Sequence, residues 1–145
     1  MNAHKNAGGI AINWCVFGSN GHETKPEGGV LENYTRCAEK DYSENRWVKS
    51  ICDPVKVLAC FTAHMPFYRK GFRNLQENGE ISEGHQSRKV HFDQIRINHY
   101  CTKSKQEYIA KRNRGKADGL FFRPMQHFEL HDRNDIHDTE ILSRV

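Results

Sequence analysis

Nothing in the chain approaches the roughly 20 consecutive apolar residues that a bilayer-spanning helix requires, and the opening MNAHKNAGG has no apolar core of the secretory kind. No transmembrane segment is expected, and the setting to expect is cytoplasmic, at most peripheral to a membrane. Cysteine is present but unpatterned. Cys15, Cys37, Cys52, Cys60 and Cys101 are odd in number, irregular in spacing and free of any C-x-x-C pair, which argues against a disulfide framework. Reduced thiols filling core space are the expectation, because a free cysteine inside a strand behaves as a small hydrophobe. Cys52, Cys60 and His64 could be joined as zinc ligands, but their spacing matches no common closed site. Internal repeats, heptads and low-complexity tracts are also missing, so solenoids and coiled coils are excluded. A charge strongly of one sign is lacking too. The formal net charge is +4 with acids interspersed, which is not the balance of a dedicated nucleic-acid binder.

What is present is a globular composition of 145 residues, 37% hydrophobic and 28% charged, enough for one domain spanning 1–145. Ile10, Ile12, Trp14 and Val16 alternate with smaller or polar residues, the period of a strand, and the following FGSNGH is a turn. Residues 30–40 suggest a short helix carrying Leu31, Tyr34 and Ala38. Trp47 to Cys52 reads as a strand, Asp53-Pro54 as a turn, and Val55 to Phe61 as a second strand, the two forming a hairpin or closely linked pair. Residues 71–89 are polar with turn signals at Asn78-Gly79 and Glu83-Gly84, an excursion of the kind that covers a site. The segment HDRNDIHD looks like an end cap. Strands outnumber helices, which gives an α+β class.

The stretch IRINHYCTKSKQEYIAKRNRG carries the most information. Alternation of Ile95 and Ile97 with polar residues places His99 at the exit of a strand. Ser104 stands three residues before Glu107, the capping-box spacing, so a helix starts near Lys105 and leaves through Gly115 in a left-handed conformation. Unpaired amides and a partial positive charge at that helix start, with Lys103 and Lys105 beside it, suggest an anion site, with phosphate as the foremost candidate.

In order along the chain, INWCVFGSNGH, WVKSICDPVKV, Ala63-His64, IRINHYCTKSKQEY, KRNRGKAD and HDRND resemble the C-terminal half of family 92 glycosyltransferases and their family 2-like relatives. The resemblance implies a partial α/β fold of the GT-A kind, a Rossmann-like mixed sheet with few helices that binds a nucleotide-sugar donor. It implies a divalent cation, Mn²⁺ or Mg²⁺, on the diphosphate, and a glycan or lipid-linked acceptor. The Asp-x-Asp motif of such enzymes does not occur in this sequence, so the chain is expected to be a C-terminal portion, one that a partner carrying the N-terminal half could complement. By the same likeness His99 would be a metal ligand, and Lys103, Ser104 and Lys105 would hold the diphosphate. Trp14, Phe17, Gly18 and Ser19 would face the acceptor, although Trp14 also fits a core position. His22, His64 and Asp93 are alternative candidates for the base, and His64 equally fits a strand-end histidine bonded to backbone. Two other readings stand beside this one. Lys103, Lys105, Lys111, Arg112, Arg114 and Lys116, interleaved with Tyr100 and Tyr108, could bind nucleic acid, which the rest of the surface does not favour, and a non-catalytic remnant would leave apolar surface exposed.

Overall fold

The computed structural model describes residues 6–62, 64–115 and 123–144. Ala63, and the Lys116–Asp118 end of the basic run, lie outside the described residues. Strands are Ala7–Val16 (β1), Arg36–Cys37 (β2), Val48–Cys52 (β3), Val57–Ala59 (β4), Phe67–Tyr68 (β5), Arg73–Leu75 (β6), Ile97–His99 (β7) and Ile136–His137 (β8). Helices are Val30–Asn33 (α1), Lys105–Arg114 (α2) and Met125–His131 (α3). The α+β class expected from the sequence is therefore what forms, with a mixed sheet and few helices. No described helix is long and apolar enough to cross a membrane.

The chain divides into two compact units, residues 1–15 with 40–97, and residues 16–39 with 98–145. The first is built on β1, which pairs antiparallel with β3 through Gly9↔Cys52 to Asn13↔Val48 and parallel with β6 through Ile10↔Leu75. Alternation sends Ile12 and Trp14 to one face, both buried. Asn13 points the other way and is fully buried, yet all its capacity is used. Its Nδ2 donates to Asn45 O (2.9 Å) and Ser87 Oγ (2.8 Å), while Oδ1 accepts from Gln76 Nε2 (2.8 Å) and His91 N (3.1 Å).

That one amide explains a departure from expectation. The polar stretch 71–89 is not merely an outer excursion. It contains β6, and Asn74, Gln76, Ser82 and Ser87 within it are buried, with Gln76 and Ser87 tied inward through Asn13. The second expected strand also differs. Asp53 Oδ1 accepts from Val55 N (3.1 Å) and winds Pro54–Lys56 into a 3₁₀ turn, so β4 begins only at Val57 and pairs with β5 rather than β3. Tyr68 of β5 then lies over the backbone of β1, where a Cβ on Gly8 or Gly9 would collide with its ring or hydroxyl.

In the second unit Val16, Phe17, Tyr34, Cys37, Ala38, Cys101, Tyr108 and Phe128 are buried. The helix expected over 30–40 is one turn only, because Arg36 and Cys37 leave it to pair with His137 and Ile136. The segment HDRNDIHD runs from the last residue of α3 through a loop into β8, which pairs with β2. Cys15, Cys37 and Cys101 are buried and form no disulfide among the described residues, as core-filling cysteines should, whereas Cys60 is exposed.

Replacing Asn13 by Leu leaves two buried donors, Gln76 Nε2 and the His91 amide, short of an acceptor and strips Ser87 of a partner. The expected loss is about 3 kcal/mol in denaturant unfolding. A change under about 0.5 kcal/mol, the range of an ordinary surface substitution, would show that this amide does not organise the unit.

Candidate functional site

The capping box forms as its spacing predicts. Ser104 Oγ accepts from Glu107 N (3.2 Å) and donates to Glu107 Oε2 (2.8 Å), and Gly115 leaves α2 at φ 80°. Lys103, just before the cap, is itself left-handed at φ 53°, a conformation that costs a non-glycine residue about 1 kcal/mol and is held here by the bonds of the adjoining cap. Tyr34 closes the arrangement from another segment, its hydroxyl donating to Glu107 Oε2 (2.6 Å) and accepting from Ser104 N (3.0 Å).

The anion cradle expected at this helix start is not open. Lys105 N donates to His22 O (3.0 Å) and Gln106 N to Glu23 O (2.9 Å), so with Glu107 N on Ser104 the first-turn amides are taken. Ser104 is fully buried, and Lys105 Nζ is 3.3 Å from Glu23 Oε2. Ser104 and Lys105 therefore stand as cap and surface ion pair, not as diphosphate ligands. The reason is tertiary: the end of the FGSNGH turn and the residue after it deliver two carbonyls to the place where a phosphate would sit.

Lys103 faces elsewhere. On the flank of α2 lies a cavity of about 380 Å³ lined by Tyr100, Thr102, Lys103, Glu107, Lys111 and Arg114. Helical spacing puts Glu107, Lys111 and Arg114 on one face, with Lys103 beside them from the turn before the cap. Lys103 Nζ is 3.5 Å from Glu107 Oε1, and Lys111 Nζ donates to Cys101 O (3.0 Å). Burial holds the Lys111 ammonium below the usual lysine range; Cys101 opposes this, while the charges of Arg123, Lys103 and Arg114 push it further down. The cavity thus has a surplus of positive charge that an anion would relieve. The capping pattern does not single out Lys111 or Arg114, since it draws attention to the helix start; a helical wheel through Glu107 is the signal that places them on one face.

The acceptor face expected of FGSNGH is likewise closed. Phe17 is buried with its ring 4.7 Å from that of Tyr100, and Thr102 Oγ1 donates to Phe17 O (3.2 Å). Ser19 N donates to Asp132 Oδ1 (2.6 Å) and Asn20 N to Asn134 Oδ1 (2.8 Å), while a Cβ on Gly18 would strike the Arg133 carbonyl. The Phe17 and Gly18 amides donate to His99 O (3.2 Å) and Arg36 O (3.0 Å), so the turn's amides are spent within the unit and Phe17, Gly18 and Ser19 serve packing. Trp14 takes the core position, buried and stacked on Trp47 at 5.9 Å.

The three base candidates occupy unrelated surroundings. His22 Nε2 lies 3.3 Å from Asn33 O, with the ring edge-on to Tyr34. His64 has Nδ1 3.0 Å from Val48 O and its ring against Trp14, Trp47 and His85; burial, against that backbone bond, pulls its pKa below the ordinary value. Asp93 is exposed and bonded to Lys40 Nζ at 2.8 Å, which lowers its pKa. None lines the cavity beside α2.

His99 ends β7, its carbonyl accepting from Phe17 N (3.2 Å) and its ring 6.4 Å from that of His131. Among the described residues it belongs to no group of three His, Cys, Asp or Glu ligand atoms within 4.8 Å, and neither does the Cys52, Cys60, His64 set. These residues do not fit a divalent cation by themselves. Comparisons with family models, curated proteins and solved structures give no match.

Two groups should report on these contacts by titration. Burial alone would raise the Glu107 carboxyl, but the bonds from Tyr34 and Ser104 and the charge of Lys103 together hold it below the ordinary value. Its contribution is full above the unfolded glutamate value and is lost as pH falls through the lower folded one. Acid unfolding monitored by circular dichroism should show that loss in the wild type and not in Glu107→Gln, which is less stable at neutral pH; superimposable curves would refute it. The lowered His64 value makes folding weaken as pH falls from 6.5 through the folded pKa, a drop that His64→Gln should flatten.

Proposed function

We propose that this chain carries a nucleoside-diphosphate site of a glycosyltransferase, one that moves a sugar from a nucleotide-sugar donor to a glycan or lipid-linked acceptor. The observation that carries the reading is the cavity beside α2, where Lys103, Lys111 and Arg114 surround a space with Glu107 as the one acidic group among the described lining residues. When an acceptor oxygen attacks the anomeric carbon and the bond to the diphosphate breaks, negative charge builds on the departing group. Fixed cations stabilise that charge without a proton donor. The resemblance supports the same reading, because FGSNGH, NHYCTKS and HDRND lie together in the second unit. His99 alone does not hold a cation, so the site rests on side-chain charge. The base is unassigned.

Nucleic-acid binding through the same cations is the competing reading, and ionic strength separates the two. Calorimetric titration of the full chain with uridine diphosphate should give binding both with and without Mn²⁺. Lys111→Ala and Arg114→Ala should each weaken it about tenfold, the scale of one charge-assisted contact, while Lys105→Ala leaves it unchanged. Equal affinity across all variants would remove the site. Preference for single-stranded RNA with a steep salt slope would replace the reading with the competing one.

A further inference from the structure

The first unit has an exposed hairpin that the sugar-transfer reading does not use. β4 and β5 pair Val57↔Tyr68 and Ala59↔Phe67, and the loop beyond them carries Phe61. Phe61 is 80% exposed, Leu58 68% and Phe67 49%, and the two phenylalanine rings meet edge to face at 5.4 Å. Large apolar side chains this bare, gathered on one short hairpin, mark an interaction surface.

Charge identifies the occupant. From Pro54 to Gln76 the sequence contains no Asp or Glu, and it carries Lys56, Arg69, Lys70 and Arg73. Two of these sit at the foot of the hairpin, where Arg69 N donates to Lys56 O (2.9 Å) and Arg69 Nε to Val55 O (3.0 Å). Lys70 comes directly after, exposed and without a salt-bridge partner among the described residues. Along the other strand Arg69 follows Phe67 by two residues, roughly 7 Å at strand rise. Apolar groups at the tip with cations roughly 7 Å behind them suit an interface where apolar side chains enter by about 5–10 Å and anionic headgroups attract Lys and Arg.

The foot is also fixed. Lys56 Nζ donates to Ala7 O (3.0 Å) and pairs with Asp53 (3.3 Å), and Tyr68 lies on β1 with its hydroxyl donating to Asn74 Oδ1 (3.1 Å). A hairpin held this way presents its tip without an ordering cost at the moment of binding.

We infer that the β4–β5 hairpin docks this chain on an anionic bilayer surface, with Leu58, Phe61 and Phe67 entering the interface and Arg69 and Lys70 meeting lipid phosphates. The inference is independent of the diphosphate site. Co-sedimentation of the full chain with phosphatidylcholine vesicles containing phosphatidylserine tests it. Binding is expected to anionic vesicles, to fall with added salt, and to be far weaker to phosphatidylcholine alone. Phe61→Asp should reduce the partition coefficient roughly tenfold or more, and Arg69→Glu with Lys70→Glu should remove the lipid-charge dependence. Phe61→Asp alters a bare side chain, so its thermal midpoint should match the wild type. Absence of binding to anionic vesicles, or equal partition of Phe61→Asp, overturns the inference. So does a concentration-dependent dimer that Phe61→Asp dissolves while vesicle binding is missing, since a second copy would then be the occupant.

Discussion

One carboxylate decides what the second unit can do. Glu107 gathers the Tyr34 hydroxyl, the Ser104 hydroxyl and the Ser104 amide around Oε2, and in doing so pins the turn from Tyr100 to Ser104 against the segment that carries Tyr34. Isolating an ionised carboxylate from water is unfavourable, and three donors on one oxygen are what make it tolerable here. Its other oxygen faces Lys103, the residue forced into a left-handed conformation by the sharp entry to α2. Because Ser104 takes the Glu107 amide while the His22 and Glu23 carbonyls take those of Lys105 and Gln106, the helix start cannot serve as an anion site, and the surplus positive charge lies on the flank of α2.

The first unit depends on a buried amide in a comparable way. Asn13 lies within β1 and meets four groups from residues 45, 76, 87 and 91, all distant in sequence. An apolar residue at that position would suit the strand's propensity better, but would take from Gln76, Ser87 and His91 the bonds that tie them to β1. The unit therefore combines an apolar face carrying Ile12 and Trp14 with buried polar bonds, those of Asn13 and the one from Asn74 Nδ2 to Ser50 Oγ at 2.7 Å. Part of the apolar material left over is on the β4–β5 hairpin and its loop, in Leu58, Phe61 and Phe67, with Ile10, Ile51 and Ile81 exposed elsewhere in the unit.

Local signals were readable where neighbours along the chain supply the physics. Ser104 and Glu107 are three apart, Gly115 comes after the last turn, and Asp53 precedes Pro54, so cap, exit and turn each derive from adjacent residues. The strand around Ile10 was readable because its two-residue alternation has the period of an extended chain, although Ala11, Asn13 and Cys15 on the other face are buried as well. Residues 71–89 defeated this reading, since several of their polar side chains are buried by hydrogen bonds, Gln76 and Ser87 to Asn13 and Asn74 to Ser50, which an alternation of apolar residues does not report. Val55 to Phe61 did so too, because a polar cap shortened the strand and its partner lay ahead in the chain, not behind.

By itself the sequence determined the α+β class, the start and end of α2, the strand character of Ala7–Val16 and Val48–Cys52, and the supply of cations along 103–114, because propensity, spacing and charge are properties of neighbouring residues. Tertiary structure alone decided whether those cations and amides were available. His22 and Glu23 arrive from some 80 residues away to occupy the amides of Lys105 and Gln106, and HDRND arrives from more than 110 residues away to occupy the FGSNGH turn. A hydrogen-bonding group is equally visible in the sequence whether free or satisfied, and only the fold says which.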